Sequence, residues 1–552
     1  MNEKIMMGIL AIGIVGFILF VSWRDQQRLK EKIKREWGKV PKSTAVNVDD
    51  ENSLYEVWQL HVQKKNLTAL LDDTTWYDLD LSRLFKVLNG TRSSIGAEWL
   101  YSKLRQNDYR QKEQKDFRQL VDFFYEHQGE REKMQFALAK VGKKNENHVW
   151  KYLYDDDLSF IKHSWLFYLA GGATLVSLLL FLFTFEVVFG VLTLFLVCVN
   201  MGTYYYYKGK LETELVVMGY LVNVLSTPET MKKLDFPFKK EMTEYAKLFN
   251  SVRKVGFSFR VKGDTDAEVF FEYLNMMFMV PFISYNIVVD KIKKYRQEAT
   301  ALVELLGAVD AAIAVANFQK LLPYYCRSEF ISDKKIQGQG VYHPMLTEPV
   351  ANDVSLEQFN LVTGSNASGK STYVKSVAIN AILSQTFGIA CAESWQMHPG
   401  EIYTSMAIKD DIFKGESYFI SEIKSVRRII RVIENGHFCY AFVDEILKGT
   451  NTIERIASSS HIVEWLSRQD CLGYVATHDI ELTEILGEKC HNIHFREVVM
   501  DDGDITFDYR LHQGPSQTRN AIALLERLDY PKEIVRQAIE SASAFEKSRQ
   551  WH

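Results

Sequence analysis

The chain has 552 residues, of which 47% are hydrophobic and 25% charged, with a formal net charge of −4. That composition excludes a wholly disordered chain, a collagen-like chain, a small disulfide scaffold and a polycation that coats nucleic acid along its length. Its six cysteines form no CxxC pair and no zinc-finger spacing, so they read as reduced thiols.

Residues 5–23 carry no charge. A helix of that length nearly crosses a hydrocarbon core of about 30 Å. Arg24, Arg28, Lys30, Lys32, Lys34, Arg35, Lys39 and Lys42 follow. Such a run stays inside, which favours an uncleaved anchor over a signal peptide, and it suits anionic lipid head groups. The expected organisation begins with an anchor over residues 1–23 and a polybasic linker over 24–68. From 69 to 162 the pattern is helical, with Leu81, Leu84, Phe85 and Leu88 at three- and four-residue steps. Residues 165–185 and 187–207 are uncharged and separated by Glu186. They predict a transmembrane hairpin over 163–207, with its outer turn at Thr184-Phe185-Glu186. Lys162, Lys208 and Lys210 flank it, and Trp165, Tyr168 and the run Tyr204 to Tyr207 suit the interfacial aromatic belt. The helical pattern resumes over 208–325. Three spans place the N-terminus outside a multi-pass cell-membrane protein whose bulk is cytoplasmic.

From 326 to 545 short apolar strands alternate with helices and glycine-rich turns, which predicts an α/β domain. Phe359 to Thr363 reads as a strand leading into Gly364-Ser365-Asn366-Ala367-Ser368-Gly369-Lys370-Ser371 and then an apolar helix. This is the P-loop pattern in its strand–loop–helix context. Its backbone N–H groups and the helix N-terminus would face an anion. Lys370 is expected on the β- and γ-phosphates and Ser371 on Mg²⁺. The apolar strand Tyr440 to Val443 ends in Asp444-Glu445. Asp444 is expected near Mg²⁺, and Glu445 as the group that polarises the attacking water. A further strand, Gly473 to Ala476, ends in Thr477-His478-Asp479, where His478 would sense the γ-phosphate or hold the water.

With these residues in place the chain resembles the MutS family of DNA mismatch-repair ATPases. The P-loop through Thr372-Tyr373, Val443-Asp444-Glu445 with Gly449-Thr450 and Thr452, Ala476-Thr477-His478, and His343-Pro344 upstream carry the likeness. Gly415-Glu416-Ser417-Tyr418-Phe419 with Glu422 is similar to the family's signature segment. Asp78 to Phe85 and Thr91 to Gly96 are similar to its helical core. The resemblance implies a P-loop, ABC-type ATPase domain after a helical core and lever, with ATP and Mg²⁺ as cofactors. It also implies a homodimer in which Ser417 reaches the partner's nucleotide, and DNA as a possible partner. The adenine-stacking aromatic of the family falls at Val350, and Tyr509 is the replacement ring. Leu447-Lys448 stands where the family has Gly-Arg. Phe124-Tyr125-Glu126 and Phe270-Phe271-Glu272 match the Phe-x-Glu tripeptide of the family's mismatch-reading wedge only by chance, within helical segments, so mismatch recognition is not expected. The expected function is therefore a membrane-anchored, ATP-dependent dimeric switch. An ABC-type transporter or signalling ATPase without DNA binding is the competing class, weakened by the small number of spans and the lack of an LSGGQ-like sequence.

Overall fold

A computed structural model describes residues 3–41, 48–144, 148–154, 160–259, 266–365, 368–406, 418–499, 505–516, 525 and 530–548. The chain forms two compact units. One holds Met1–Thr68, Lys86–Lys103 and Lys115–Leu321, and the other Ala69–Phe85, Leu104–Gln114 and Leu322–His552.

The first unit is helical. Helix α1 (Glu3–Glu36) carries the apolar run and continues through the basic residues expected as a linker. The Lys-, Arg- and Glu-rich stretch favours helix, and no glycine or proline interrupts it before Gly38. Its C-terminal end is stitched to the rest of the unit. Arg92 Nη1 donates to Glu36 at 2.7 Å, Gly38 N–H donates to Asn317 Oδ1 at 2.7 Å, and the Arg131 guanidinium lies 3.5 Å from the Trp37 ring.

The hairpin forms as helices α2 (Trp165–Thr184) and α3 (Val187–Lys210), joined through Phe185 in the left-handed region. Its outer surface is apolar and bare. Leu182, Val187, Val188 and Leu194 are exposed, and Phe183 is 82% exposed. Its inner seam is polar. Thr193 Oγ1 donates to Ser177 Oγ at 2.9 Å, and Asn200 Nδ2 donates to Thr174 Oγ1 at 3.0 Å. Helices α4 (Asp266–Phe278) and α5 (Val280–Lys294) follow, then the long α6 (Arg296–Leu321).

Among the described residues, α2, α3 and α6 are long and apolar enough to cross a membrane. Most side chains of the run 5–23 lie outside the described set. Helix α6 differs from the hairpin because its apolar face is already covered: Leu302, Val303, Leu306, Val309 and Ile313 are buried in the unit's core.

On α6 the buried Asp310 carboxylate accepts from the N–H of Arg92 at 3.0 Å, the N–H of Ser93 at 2.8 Å and Ser93 Oγ at 2.5 Å. Burial raises this carboxyl, and the Ser93 and backbone bonds oppose the rise. Asp310 thereby satisfies free N–H groups just ahead of the helix Ser94–Leu104.

The second unit is built on a six-stranded sheet. In chain order its strands are β1 (Asn360–Thr363), β2 (Glu401–Ser405), β3 (Cys439–Asp444), β4 (Cys471–Ala476), β5 (His491–His494) and β6 (His512–Gln513). The spatial order is β6-β5-β1-β4-β3-β2, parallel throughout except for the antiparallel edge β6. Helices α7 (Lys370–Phe387), α8 (Tyr418–Glu434) and α9 (Thr452–Ser467) cover it. Val426 and Ile429 of α8 and Val463 and Leu466 of α9 pack with Leu361, Ala441, Val443 and Val475. Tyr373 of α7 meets Tyr474 of β4, hydroxyl to hydroxyl at 3.3 Å. Continuous burial along β3 and β4 is what a parallel sheet covered on both faces requires.

Residues 69–85 and 104–114, expected in the helical core, lie in this second unit and cover its β2 edge. The Asn107 amide exchanges two bonds with the Ile402 backbone, at 3.0 and 2.8 Å. Asp78 accepts from Thr404 Oγ1 at 2.6 Å and from the Met406 N–H at 2.9 Å. Side chains here satisfy groups that an open edge strand would leave unpaired.

A methyl group on Gly96 would lie 2.3 Å from Asp310 Oδ2. Gly96→Ala is therefore expected to destabilise the helical unit by about 1–3 kcal/mol, the usual range for overpacking. The lowered thermal midpoint checks this, and an unchanged midpoint contradicts the role given to Asp310.

Candidate functional site

Strand register assembles the site. Ala476 of β4 pairs with Val362 of β1 on one side and with Asp444 of β3 on the other. The residues that follow each strand therefore emerge level: Gly364, Glu445 and Thr477-His478. The strand order reverses around β1, and such switch points open crevices at carboxyl ends of strands.

The loop after β1 is compact. Gly364 has φ 141° and Gly369 φ 105°, both in the region that favours glycine. A Cβ at Gly364 would lie 2.4 Å from the Phe495 carbonyl oxygen, so no other residue fits there. Ser368 is buried, and its hydroxyl donates to the Ser365 carbonyl at 2.8 Å. Lys370 Nζ folds back onto the carbonyls of Gly364 and Ser365, at 2.6 and 2.7 Å. Burial lowers this amine to about 8, partly opposed by Asp444, Glu445 and Glu497. It stays a cation that holds the loop's own carbonyls. Ser371 follows it on the first turn of α7, and Thr372 is exposed beside it.

Asp444 is half-buried at the end of β3 and accepts a hydrogen bond from Ser371. Burial raises its carboxyl, while that bond and Lys370 oppose the rise. A hydroxyl and a desolvated carboxylate meeting beside a lysine fit the oxygen-donor chemistry of Mg²⁺.

Glu445 has φ 58° and Leu447 φ 56°, a left-handed backbone unusual outside glycine and typical of strained functional turns. The Glu445 N–H donates to the Ala476 carbonyl at 2.9 Å, which fixes the turn to β4. Both carboxylate oxygens are engaged. His478 Nε2 lies 2.7 Å from Oε1, and Lys448 Nζ holds Oε2. His478 Nδ1 lies 3.1 Å from the Gly364 carbonyl. The hydrogen bond from His478, and after it that from Lys448, holds the Glu445 carboxyl down to about 2 despite desolvation. A carboxylate so depressed is a weak base, and polarising water requires it to leave one of these partners.

Tyr509, the expected replacement ring, packs against the loop. Its Cδ1 is 3.1 Å from the Cβ position of Gly369, over the loop. Asn352 holds the segment, donating to the Tyr509 carbonyl at 2.9 Å and accepting from the Leu511 N–H at 2.7 Å. Val350, two residues before Asn352, is exposed. His343 has its imidazole lowered to about 4 by burial, with Lys375 and Arg83 adding to the effect.

The structure thus brings together Gly364, Ser365, Ser368, Gly369, Lys370, Ser371, Asp444, Glu445, His478 and Tyr509. Asn366, Ala367 and Ser417 lie outside the described residues. Three partners were not expected. Lys448 stands three residues after Glu445, a spacing that places a cation beside it only once the turn is known. Glu422 on α8 is buried and accepts from the N–H groups of Lys448 at 2.9 Å and Gly449 at 3.2 Å. Arg455 grips Asp479 with two bonds, at 2.8 and 2.6 Å, beside His478. No local pattern announces these last two contacts, because each joins separate elements.

The pairing of Glu445 has a pH signature. A carboxyl depressed on folding stabilises above its ordinary value of 4.5, and that contribution disappears as pH falls from 4.5 toward 2. The gap in thermal midpoint between wild type and Glu445→Gln is expected to be widest above pH 4.5 and to close toward pH 2. A gap that does not change with pH contradicts the pairing.

Comparison with known proteins agrees with this geometry. Residues 360–546 match the family model of MutS domain V. The protein named DNA mismatch repair protein MutS from Thermus thermophilus is 28% identical over 266 residues, 47% of this chain and 32% of the relative. Those of the same name from Geobacillus sp. and Streptococcus uberis are 25% and 27% identical, over 49% and 45% of this chain. The chain spans about a third of the length of these curated relatives. The glycine loop, the acidic strand end and His478 all fall within the segment, residues 360–546, that matches the MutS domain V family.

Proposed function

We propose that this chain is a membrane-anchored, Mg²⁺-dependent ATPase of the MutS type that works as a dimeric switch, with DNA as its partner. The observation that carries the chemistry is the meeting of Lys370, Ser371, Asp444, Glu445 and His478 at three level strand ends. ATP is the substrate. The loop N–H groups and the start of α7 would receive its phosphates. Lys370 would exchange the Gly364 and Ser365 carbonyls for phosphate oxygens. Ser371 and Asp444 would hold Mg²⁺, which supplies neutralising charge on the phosphates. Glu445, once released from Lys448, would orient and polarise water, and His478 would report the γ-phosphate to Gly364. Tyr509 offers its ring to the base.

Membrane attachment is supported by the hairpin's inverted polarity. Its bare face is apolar and its hydrogen-bonded groups face inward, the arrangement suited to a lipid solvent. DNA is supported by the relatives' printed name.

Lys370→Ala is expected to weaken ATP binding. Glu445→Gln is expected to keep binding but to slow hydrolysis by roughly 10²-fold. The same proteins, tested on DNA at rising salt, should lose affinity steeply; a flat response removes phosphate contact. Normal turnover by Glu445→Gln would remove Glu445 as the base. For the dimer, subunits carrying Lys370→Ala and Ser417→Ala are expected to regain up to about half of normal activity on mixing, since one intact site forms per mixed pair. No recovery despite subunit exchange contradicts a Ser417 that acts across the dimer.

A further inference from the structure

The residues from Tyr273 to Val289 carry no charge, bounded by Glu272 and Asp290. They do not make one span. The chain breaks at Met279, which has φ 54°, and Pro281 opens α5. Helices of 13 and 15 residues are each too short to cross a bilayer. They form an elbow whose apex is Phe278-Met279-Val280: Met279 is buried with Met276 and Phe282 against Phe167 and Tyr204 of the hairpin, while Met277, Phe278 and Val280 are partly exposed.

Contacts within the helical unit fix the level of that elbow against the hairpin. Lys208 Nζ pairs with Glu272 at 2.6 Å, so α4 starts beside the charged end of α3. Five residues on, the Met277 carbonyl accepts from Asn200 Nδ2 at 2.8 Å. A Cβ on Gly171 would lie 2.4 Å from the Phe278 carbonyl oxygen. The chain then returns. The Phe282 ring lies 5.1 Å from that of Phe167, and Asn286 exchanges two bonds with the Ile161 backbone, at 2.8 and 3.1 Å, ahead of α2. At 1.5 Å per residue, the steps from Lys208 to Asn200 and from Trp165 to Gly171 put the apex about 9–12 Å inside the charged boundary.

A helix break at that depth leaves carbonyls of α4 without an intrahelical partner, and hydrocarbon offers no water to satisfy them. Asn200, placed in the middle of an apolar helix, donates to one of them. Gly171 lets the backbone of α2 approach the next. Tyr273 is exposed one residue after Glu272, where interfacial aromatics sit.

We propose that α4 and α5 form a re-entrant elbow inserted into the cytoplasmic leaflet beside the hairpin, with lipid at the head-group and acyl-chain boundary as its partner. This rests on the membrane reading of α2 and α3. The elbow widens the membrane element from two helices to four, with lipid meeting its partly exposed residues, while Val288, Val289 and Ile292 of α5 are buried in the helical unit.

The test uses the full chain in phosphatidylcholine–phosphatidylglycerol vesicles, with Cys198 and Cys326 replaced by Ala. Single spin labels go on Val280→Cys, Met277→Cys and Tyr273→Cys, with Leu182→Cys and Lys232→Cys as the hairpin and aqueous references. Collision with oxygen and with a water-soluble nickel chelate is read by power saturation. The expected result is oxygen preference at 277 and 280, between the two references, and a boundary value at 273. Nickel access at 277 and 280 equal to that at 232, with 182 in lipid, overturns the elbow alone. Shielding of 277 and 280 from both reagents also overturns it, because the apex would then be packed in protein. An aqueous Leu182 overturns the hairpin reading, and the elbow falls with it.

Discussion

Register between three parallel strands is the constraint on which the site depends. Ala476 faces Val362 and Asp444 at once, and backbone bonds from Glu445 to Ala476 and from Thr477 to Val362 lock the level of the strand ends. A slip of one residue in β3 would turn Asp444 toward the opposite face and carry Glu445 away from His478. The crowding at Gly364, whose Cβ position meets the Phe495 carbonyl, is the cost of bringing the loop so close to β5. The left-handed turns at Glu445 and Leu447 are a second cost. Both sit where function needs fixed geometry, and the buried sheet beneath supplies the packing that holds them.

The resting arrangement is self-neutralised. Lys370 occupies itself with loop carbonyls, Asp444 with Ser371, and Glu445 with His478 and Lys448. In the proposed function, phosphate and metal would replace the partners of Lys370 and Asp444. Glu422 ties the backbone of Lys448 and Gly449 to α8, the helix that begins within the segment resembling the family signature. Movement of that helix would therefore be felt at the turn bearing Glu445.

Much of this was legible in the sequence. The loop, the acidic strand end and the strand end at His478 are local patterns, and strand–loop–helix context fixes where they sit. The hairpin was legible because two long uncharged runs have few alternatives. What escaped was non-local. Residues 69–85 and 104–114 look helical, yet Asp78 and Asn107 cover the edge of a sheet about 300 residues away in sequence. Helix α6 matches the hairpin in apolarity but is buried, a difference set by its neighbours rather than its composition. The uncharged run of α4 and α5 was hidden by its break at Met279. Ion pairs such as Lys448 with Glu445 depend on backbone angles that no residue pattern states.

In the proposed function, Ser371 and Asp444 exchange their mutual hydrogen bond for a nucleotide-bound divalent ion. Electron paramagnetic resonance of Mn²⁺, titrated into the full chain with and without ATP, tests it directly. One tightly bound Mn²⁺ per chain is expected to appear with ATP and to be lost in Asp444→Asn, while ATP alone still binds. Tight Mn²⁺ binding that persists in Asp444→Asn, or that ignores ATP, would contradict it.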